Sequence, residues 1–175
     1  MTLALQQKTI THAHLFCGLG GGAKGFNNGY AKVGNVEAKF ECIGGIDSCP
    51  SAIADFERAA KCKGTVLDLF SRDQYTRFHG HEPPPGWQEA GMEEIHRAFQ
   101  YRRPNILVTS PPCKGFSGLL SETTSKTDRY QALNELTIRG IWLAMEAYAD
   151  DPIELIVMEN VPRISTRGRR LLDQI

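Results

Sequence analysis

The sequence predicts an α/β domain in which a mostly parallel sheet carries helices on both faces. Short apolar runs of strand length alternate along the chain with stretches of helical periodicity. Two of those runs, His14-Leu15-Phe16 and Ile106-Leu107-Val108, break at once into glycine-rich or proline-rich turns. Chemically capable side chains follow several runs directly, which is the arrangement expected where an open α/β sheet binds ligands at the carboxyl ends of its strands.

Strands are predicted near residues 11–16, 39–46, 64–67, 104–109 and 153–158, and helices over about 22–33, 50–61, 88–100 and 131–149. The first strand feeds Cys17-Gly18-Leu19-Gly20-Gly21-Gly22, and a helix is expected from about Ala23. Glycines there let backbone N–H groups come close to a ligand, and a helix N-terminus favours electron-rich groups. The second strand runs into Asp47, placed to accept both hydroxyls of a ribose, and the third into Asp68, placed to accept from an exocyclic amine. In the fourth helix Leu133, Leu136, Ile141, Leu143, Ala144 and Ala147 recur near helical spacing, while Glu135, Arg139 and Glu146 break up the apolar surface. Between Phe70 and Arg103, Pro83-Pro84-Pro85-Gly86 marks a surface insertion over 71–103, a polyproline loop leading into a short helix.

At 175 residues the chain is expected to form a single domain with a sizeable core. It has 20 basic and 20 acidic residues, so no global basic excess announces nucleic acid, and any such contact rests on local patches. The five cysteines, at 17, 42, 49, 62 and 113, form no Cys-x-x-Cys pair. An odd count without a signal sequence points to reduced thiols in a cytoplasmic setting. His79-Gly80-His81 lies in a polar, proline-rich stretch with no nearby cysteine, and no metal site is expected. No apolar stretch is long enough to span a membrane.

Two segments carry reactive chemistry. Pro111-Pro112 fixes φ at successive positions just before Cys113, while Gly115-Phe116-Ser117 permits a mobile loop after it, so the thiol is held firmly on one side and can be covered from the other. Glu159 and Asn160 follow the apolar run Leu155-Ile156-Val157-Met158 and precede Val161-Pro162, which again puts a carboxylate on the ligand-binding edge.

Taken together and in this order, Phe16-Cys17-Gly18-Leu19-Gly20-Gly21, Pro111-Pro112-Cys113 with Phe116-Ser117, and Glu159-Asn160-Val161 resemble the cytosine-5 methyltransferases that use S-adenosylmethionine. The resemblance spans roughly residues 11–165 and implies a Rossmann-like, S-adenosylmethionine-dependent methyltransferase core. It implies that Cys113 is the nucleophile, that Glu159 engages the endocyclic nitrogen of the target ring, and that Asn160 buttresses their loop. It implies a cofactor site made of Phe16, the Gly18, Leu19, Gly20 and Gly21 turn, Asp47 at the ribose, Asp68 and Leu69 at the adenine, and Pro112 and Leu136 on the other side. Carbon 5 of cytosine is a poor nucleophile, and thiolate addition at carbon 6 activates it. The implied partner is DNA with its target cytosine flipped out, and the segment from Lys114 to Tyr130, with Lys126 and Arg129, is expected to close over that base.

The chain departs from the family in several places. It stops at Ile175, before the arginine-bearing motif, the target-recognition domain and the final helix expected in relatives, so a C-terminally truncated core is expected, with weak activity unless a second polypeptide completes it. Arg163, Arg167, Arg169 and Arg170 do not match the absent motif and are read as a solvated helix start. Cys49 stands where many relatives carry a second acidic residue. The alternatives are an RNA (tRNA) cytosine-5 methyltransferase and a cofactor-binding fragment inactive alone. A dinucleotide-dependent oxidoreductase is disfavoured by Ala23, where the last glycine of its fingerprint belongs.

Overall fold

A computed structural model describes residues 4–113 and 127–175. The chain forms β1 (Gln6–Leu15), α1 (Gly21–Asn27), β2 (Tyr30–Val33), β3 (Val36–Asp47), α2 (Pro50–Ala60), β4 (Gly64–Val66), α3 (Arg72–His79) and α4 (Met92–Ala98). It continues with β5 (Ile106–Thr109), α5 (Asp128–Ala147), β6 (Leu155–Met158), α6 (Ile164–Arg167) and α7 (Arg169–Leu172). β3, β1, β5 and β6 are neighbours in that order and parallel, and β4 adds a short parallel strand against Gly45, Ile46 and Asp47 of β3. At its carboxyl edge the sheet therefore reads β4-β3-β1-β5-β6. From β1 the chain winds outward one way through β3 to β4 and then returns to wind the other way through β5 to β6, so the topology reverses between β1 and β5. The mixed α/β, mostly parallel architecture expected from the sequence is the one observed.

Strand alternation decides which helix covers which face. Ala13 and Leu15 of β1 point into the main core with Ile95, Ala98, Leu133, Leu136 and Leu143 from α4 and α5. His12 and His14 point the opposite way, against Phe26 of α1 and Phe56 of α2. The ladder between β1 and β3 slips once, pairing His12 with Cys42 but Ala13 with Gly44. This bulge makes Ile43 and Gly44 face the same side: Ile43 joins the main core, and a Cβ on Gly44 would meet the Ala98 carbonyl oxygen and the Phe99 ring. Beyond the bulge Gly45 turns to the other face, under the Phe56 ring.

Helix boundaries follow local chemistry. Pro50 begins α2 and Lys61 ends it in the left-handed region at φ 54°. Ser71 and Gln74 form a reciprocal capping box that starts α3. Of the stripe expected from its periodicity α5 buries Leu133, Leu136, Ile141, Leu143 and Ala144, with Ala147 half-buried, and it begins three residues ahead of the predicted boundary.

Three expectations need correction. The helix predicted over 22–33 stops at Asn27, whose side chain is drawn into bonds with Ala60 O, His12 Nε2 and Cys42 N, and residues 30–33 pair instead as an antiparallel strand with β3. β1 and β3 both start earlier than predicted, because their first residues form a ribbon with β2 beyond the covered sheet. The segment 71–103 is more than a surface insertion. It contains α3 as well as α4, and Ile95, Ala98 and Phe99 are completely buried because α4 roofs the β3 side of the core. The helix there spans only 92–98 of the predicted 88–100.

Candidate functional site

The reversal between β1 and β5 opens into a cavity of about 440 Å³. Phe16 and Gly18 enter it after β1, Asp47 at the end of β3, Asp68 and Leu69 after β4, and Ser110 and Pro112 after β5. Leu133 and Leu136 of α5 close its flank. The structure thus gathers Phe16, Gly18, Asp47, Asp68, Leu69, Pro112 and Leu136 around one space, whereas Leu19, Gly20 and Gly21 lie outside the lining.

The turn after β1 is built on unusual backbone. Phe16 sits at φ 54°, a left-handed conformation that few aromatic residues adopt, and Gly18 follows at φ 49°. Cys17 N donates to Ile46 O at 3.0 Å, tying the turn to β3. Gly18 N donates to Asp47 Oδ2 at 2.9 Å, and Cys49 N donates to Asp47 Oδ1 at 2.9 Å. The carboxylate therefore braces two loops, and each oxygen keeps capacity for a further donor. Gly20, at φ 82°, serves packing: a Cβ there would stand 2.9 Å from Phe56 Cα, so the turn rests directly on α2. On the far side Gly140 of α5 makes room for Phe16, whose Cζ would lie 3.1 Å from a Cβ at that position.

Asp68 is buried enough for desolvation to raise its carboxyl above the ordinary range, against the opposing pull of Phe70 N–H at 2.9 Å, His79 and the Trp87 indole. The turn that carries it is held by a residue whose role was missed. Arg139 of α5 donates from Nε to Leu69 O at 3.0 Å and from Nη2 to Ala90 O at 3.0 Å, and pairs with Glu89 at 2.9 Å. A signal was present, since Arg139 lies three residues after Leu136 and four before Leu143, on the helix's apolar stripe.

Cys113 follows Pro112 on the cavity's lip and is half-buried. Ser110 N donates to Leu15 O at 3.2 Å, and Glu159 N donates to Thr109 O at 2.9 Å, so the chain leaving β6 runs beside the end of β5. Glu159 is exposed. Asn160 Oδ1 accepts from Val161 N at 2.8 Å, while its Nδ2 is buried with no hydrogen-bond partner among the described residues. Cys113, Glu159 and Asn160 thus share the carboxyl edge with the cavity without lining it. Burial, with Asp47 nearby, pushes the Cys17 thiol up to about 12, so this cysteine of the turn stays protonated and unreactive.

Residues 114–126, with Lys114 and Lys126, lie outside the described residues. Arg129, expected to face a target base, stands 5.0 Å over the Phe78 ring. Arg163, Arg169 and Arg170 are exposed around α6 and α7, and Arg169 pairs with Asp173 at 2.9 Å.

Fold and site together define an α/β domain with a ligand crevice at the switch point of a doubly wound sheet, two carboxylates inside it and a cysteine at its lip. No family model matches the chain, and no curated protein matches it in sequence. Among solved structures it is similar to the S. pombe Dnmt2 methyltransferase, at 16% identity and a TM-score of 0.46, over 95% of this chain and 40% of that one. A likeness at that level carries no functional weight, and this chain spans less than half of that structure's length. No helix among the described residues is long and apolar enough to cross a membrane.

Proposed function

We propose that the chain is a methyltransferase core that binds S-adenosylmethionine and acts on carbon 5 of cytosine in DNA. The observation that supports this most is a single cavity collecting Phe16, Asp47, Asp68 and Pro112 from four strand ends, with Cys113 one residue beyond. The residues present fit the cofactor. The cavity volume falls in the range of roughly 300–1,000 Å³ typical of small-ligand sites. Asp47 has acceptor capacity for two ribose hydroxyls, Asp68 for an exocyclic amine, and Phe16, Leu69 and Leu136 offer apolar walls to a planar ring.

When bound, S-adenosylmethionine supplies an electrophilic methyl group. Cys113 attacks carbon 6 of the flipped cytosine as a thiolate, and Glu159 donates a proton to ring nitrogen 3 as negative charge develops there, assistance worth about 10²–10⁴-fold. That addition gives carbon 5 the nucleophilic character it lacks. Once carbon 5 has gained a methyl group, transfer of its remaining proton to a base restores the double bond and expels the thiolate. Asn160 holds the turn carrying Glu159 through its bond to Val161 N.

Calorimetry tests the cofactor half: S-adenosylmethionine or its demethylated product binds, and Asp47→Ala weakens binding at least about tenfold, or about 1.4 kcal/mol. Equal affinity in both proteins removes Asp47 from the site. DNA containing 5-fluorocytosine tests the chemistry, because fluorine cannot leave carbon 5 as a proton does and the thiol stays attached. The adduct is expected on Cys113 and absent in Cys113→Ser, with cofactor binding retained. An adduct mapped to Cys17 or Cys49, or formed on RNA and not on DNA, overturns the corresponding assignment.

A further inference from the structure

Behind the glycine turn, on the sheet face opposite the main core, lies a second cluster of capable side chains that the methyl-transfer reading does not use. His12 and His14 are alternate residues of β1, so both side chains enter the space beneath α1 and α2. Cys42 is the register partner of His12 on β3. One donor atom from each of His12, His14 and Cys42 lies within 4.8 Å of the other two, and all three residues are buried. Cys62, just past α2 and half-buried, packs against the same cluster beyond that mutual distance. The sequence gives no hint of this grouping, because its members come from three separate elements.

The geometry points to a transition-metal site that takes a zinc-class divalent ion, with His12, His14, Cys42 and Cys62 as its ligands. The orientation of His12 is fixed as metal-bound imidazoles usually are. Asn27 Nδ2 donates to Ala60 O at 2.7 Å, which anchors the amide, so its Oδ1 faces His12 Nε2 at 3.0 Å and accepts the ring proton. His12 Nδ1 then carries a lone pair, and it points at His14 Nε2 from 2.9 Å. Zinc bonds of about 2.0–2.3 Å put tetrahedral donors about 3.3–3.8 Å apart, so the two nitrogens need to open by only a few tenths of an ångström while the thiols close in.

The electrostatics suit that ion. His12 and His14 are both buried, an environment that favours the neutral, ligating form of imidazole. Two imidazoles and two thiolates are a borderline-soft set that favours zinc over magnesium or calcium, and a divalent ion with two thiolates buries no net charge. Each thiol loses its proton to solvent on binding, and the His14 proton moves from Nε2 to Nδ1, so loading releases two protons per metal.

Cobalt(II) titration of the metal-free 175-residue chain tests this independently of S-adenosylmethionine. A single equivalent is expected to give the intense visible bands and sulfur-to-metal charge-transfer absorption of a tetrahedral thiolate site. Zinc should displace it, and a dye indicator should report two protons released. Cys42→Ser and His14→Gln should lose the bands, whereas Cys49→Ser, whose thiol is outside the cluster, should keep them. Circular dichroism checks each fold, and the wild-type titration stands even if a variant fails to fold. Folded wild-type protein that gives only the weak spectrum of six-coordinate cobalt, or releases no protons, overturns the site, as does undiminished binding in a folded Cys42→Ser.

Discussion

Asp68 is asked to stay charged in a place that favours its neutral form. Desolvation raises its folded-state pKa, so the native protein holds this proton more tightly than the unfolded chain does. Its contribution therefore favours folding while the group is protonated and is lost as pH rises from the ordinary aspartate value of about 3.9 through the raised one. Asp68→Asn is expected to raise the melting temperature at neutral pH and to flatten the stability profile in that window. It should also weaken S-adenosylmethionine, since an amide accepts less strongly from an exocyclic amine. A lower melting temperature, or unchanged affinity, would count against this account. At this scale the sequence was informative about identity and silent about posture. Asp47 and Asp68 were recognisable because strands run directly into them. The left-handed backbone of Phe16 and the grip of Arg139 on Leu69 were not, because both depend on residues far away in the chain.

Among elements, legibility tracked burial. α2 and α5 could be read because each presents a continuous apolar stripe to the sheet, and β5 because Leu107 and Val108 are buried together. β2 could not, since Tyr30, Ala31, Lys32 and Val33 are all exposed and leave no pattern of inside and outside. Its partners Val36–Lys39 of β3 are half-buried or exposed, and Gln6–Thr9 of β1, which pair with the same β3 residues from the other side, are exposed as well, so this ribbon is held by ladder bonds with little burial behind them. Amides of residues 30–33 should accordingly exchange with solvent through local opening, well before those of Leu107 and Val108, whose exchange should follow global unfolding. Hydrogen exchange resolved by mass spectrometry reads this directly. Equal protection in the two strands would show that the ribbon folds as one unit with the sheet.

Across the whole molecule the two edges of the sheet have different work. The carboxyl edge carries the cavity, the strained turn and Cys113. The amino edge is knotted by a polar network: Asn105 Oδ1 accepts from Thr11 N at 2.9 Å and Asn105 Nδ2 donates to Glu154 at 2.9 Å, while Arg103 pairs with Asp151 at 2.9 Å. Asn105→Ala should cost about 1–3 kcal/mol by stranding these partners, with cofactor affinity unchanged because the cavity is at the opposite end of the strands. Urea unfolding and calorimetry on the same sample separate the two effects, and a matching loss of affinity would deny that the edges are independent. The mostly parallel character of the sheet followed from the alternation of elements, whereas the strand order and the network between residues 11, 105 and 154 needed the sheet to be assembled first.

The slip between β1 and β3 also constrains how this chain can change length. Ahead of Ile43 the ribbon of β1, β2 and β3 ends in an exposed hairpin, so residues gained or lost there shorten or lengthen a free tip and disturb nothing behind it. Behind Ile43 the phase is locked, because a side chain's face alternates with every residue. Loss of Ile43 would only restore an unbroken ladder, whereas a single deletion between Gly44 and Asp47 would turn Asp47 away from Gly18 and the site. The bulge thus divides β3 into a stretch open to insertion and deletion and a stretch closed to both, and within this strand descendants of the sequence should differ in length only ahead of residue 43.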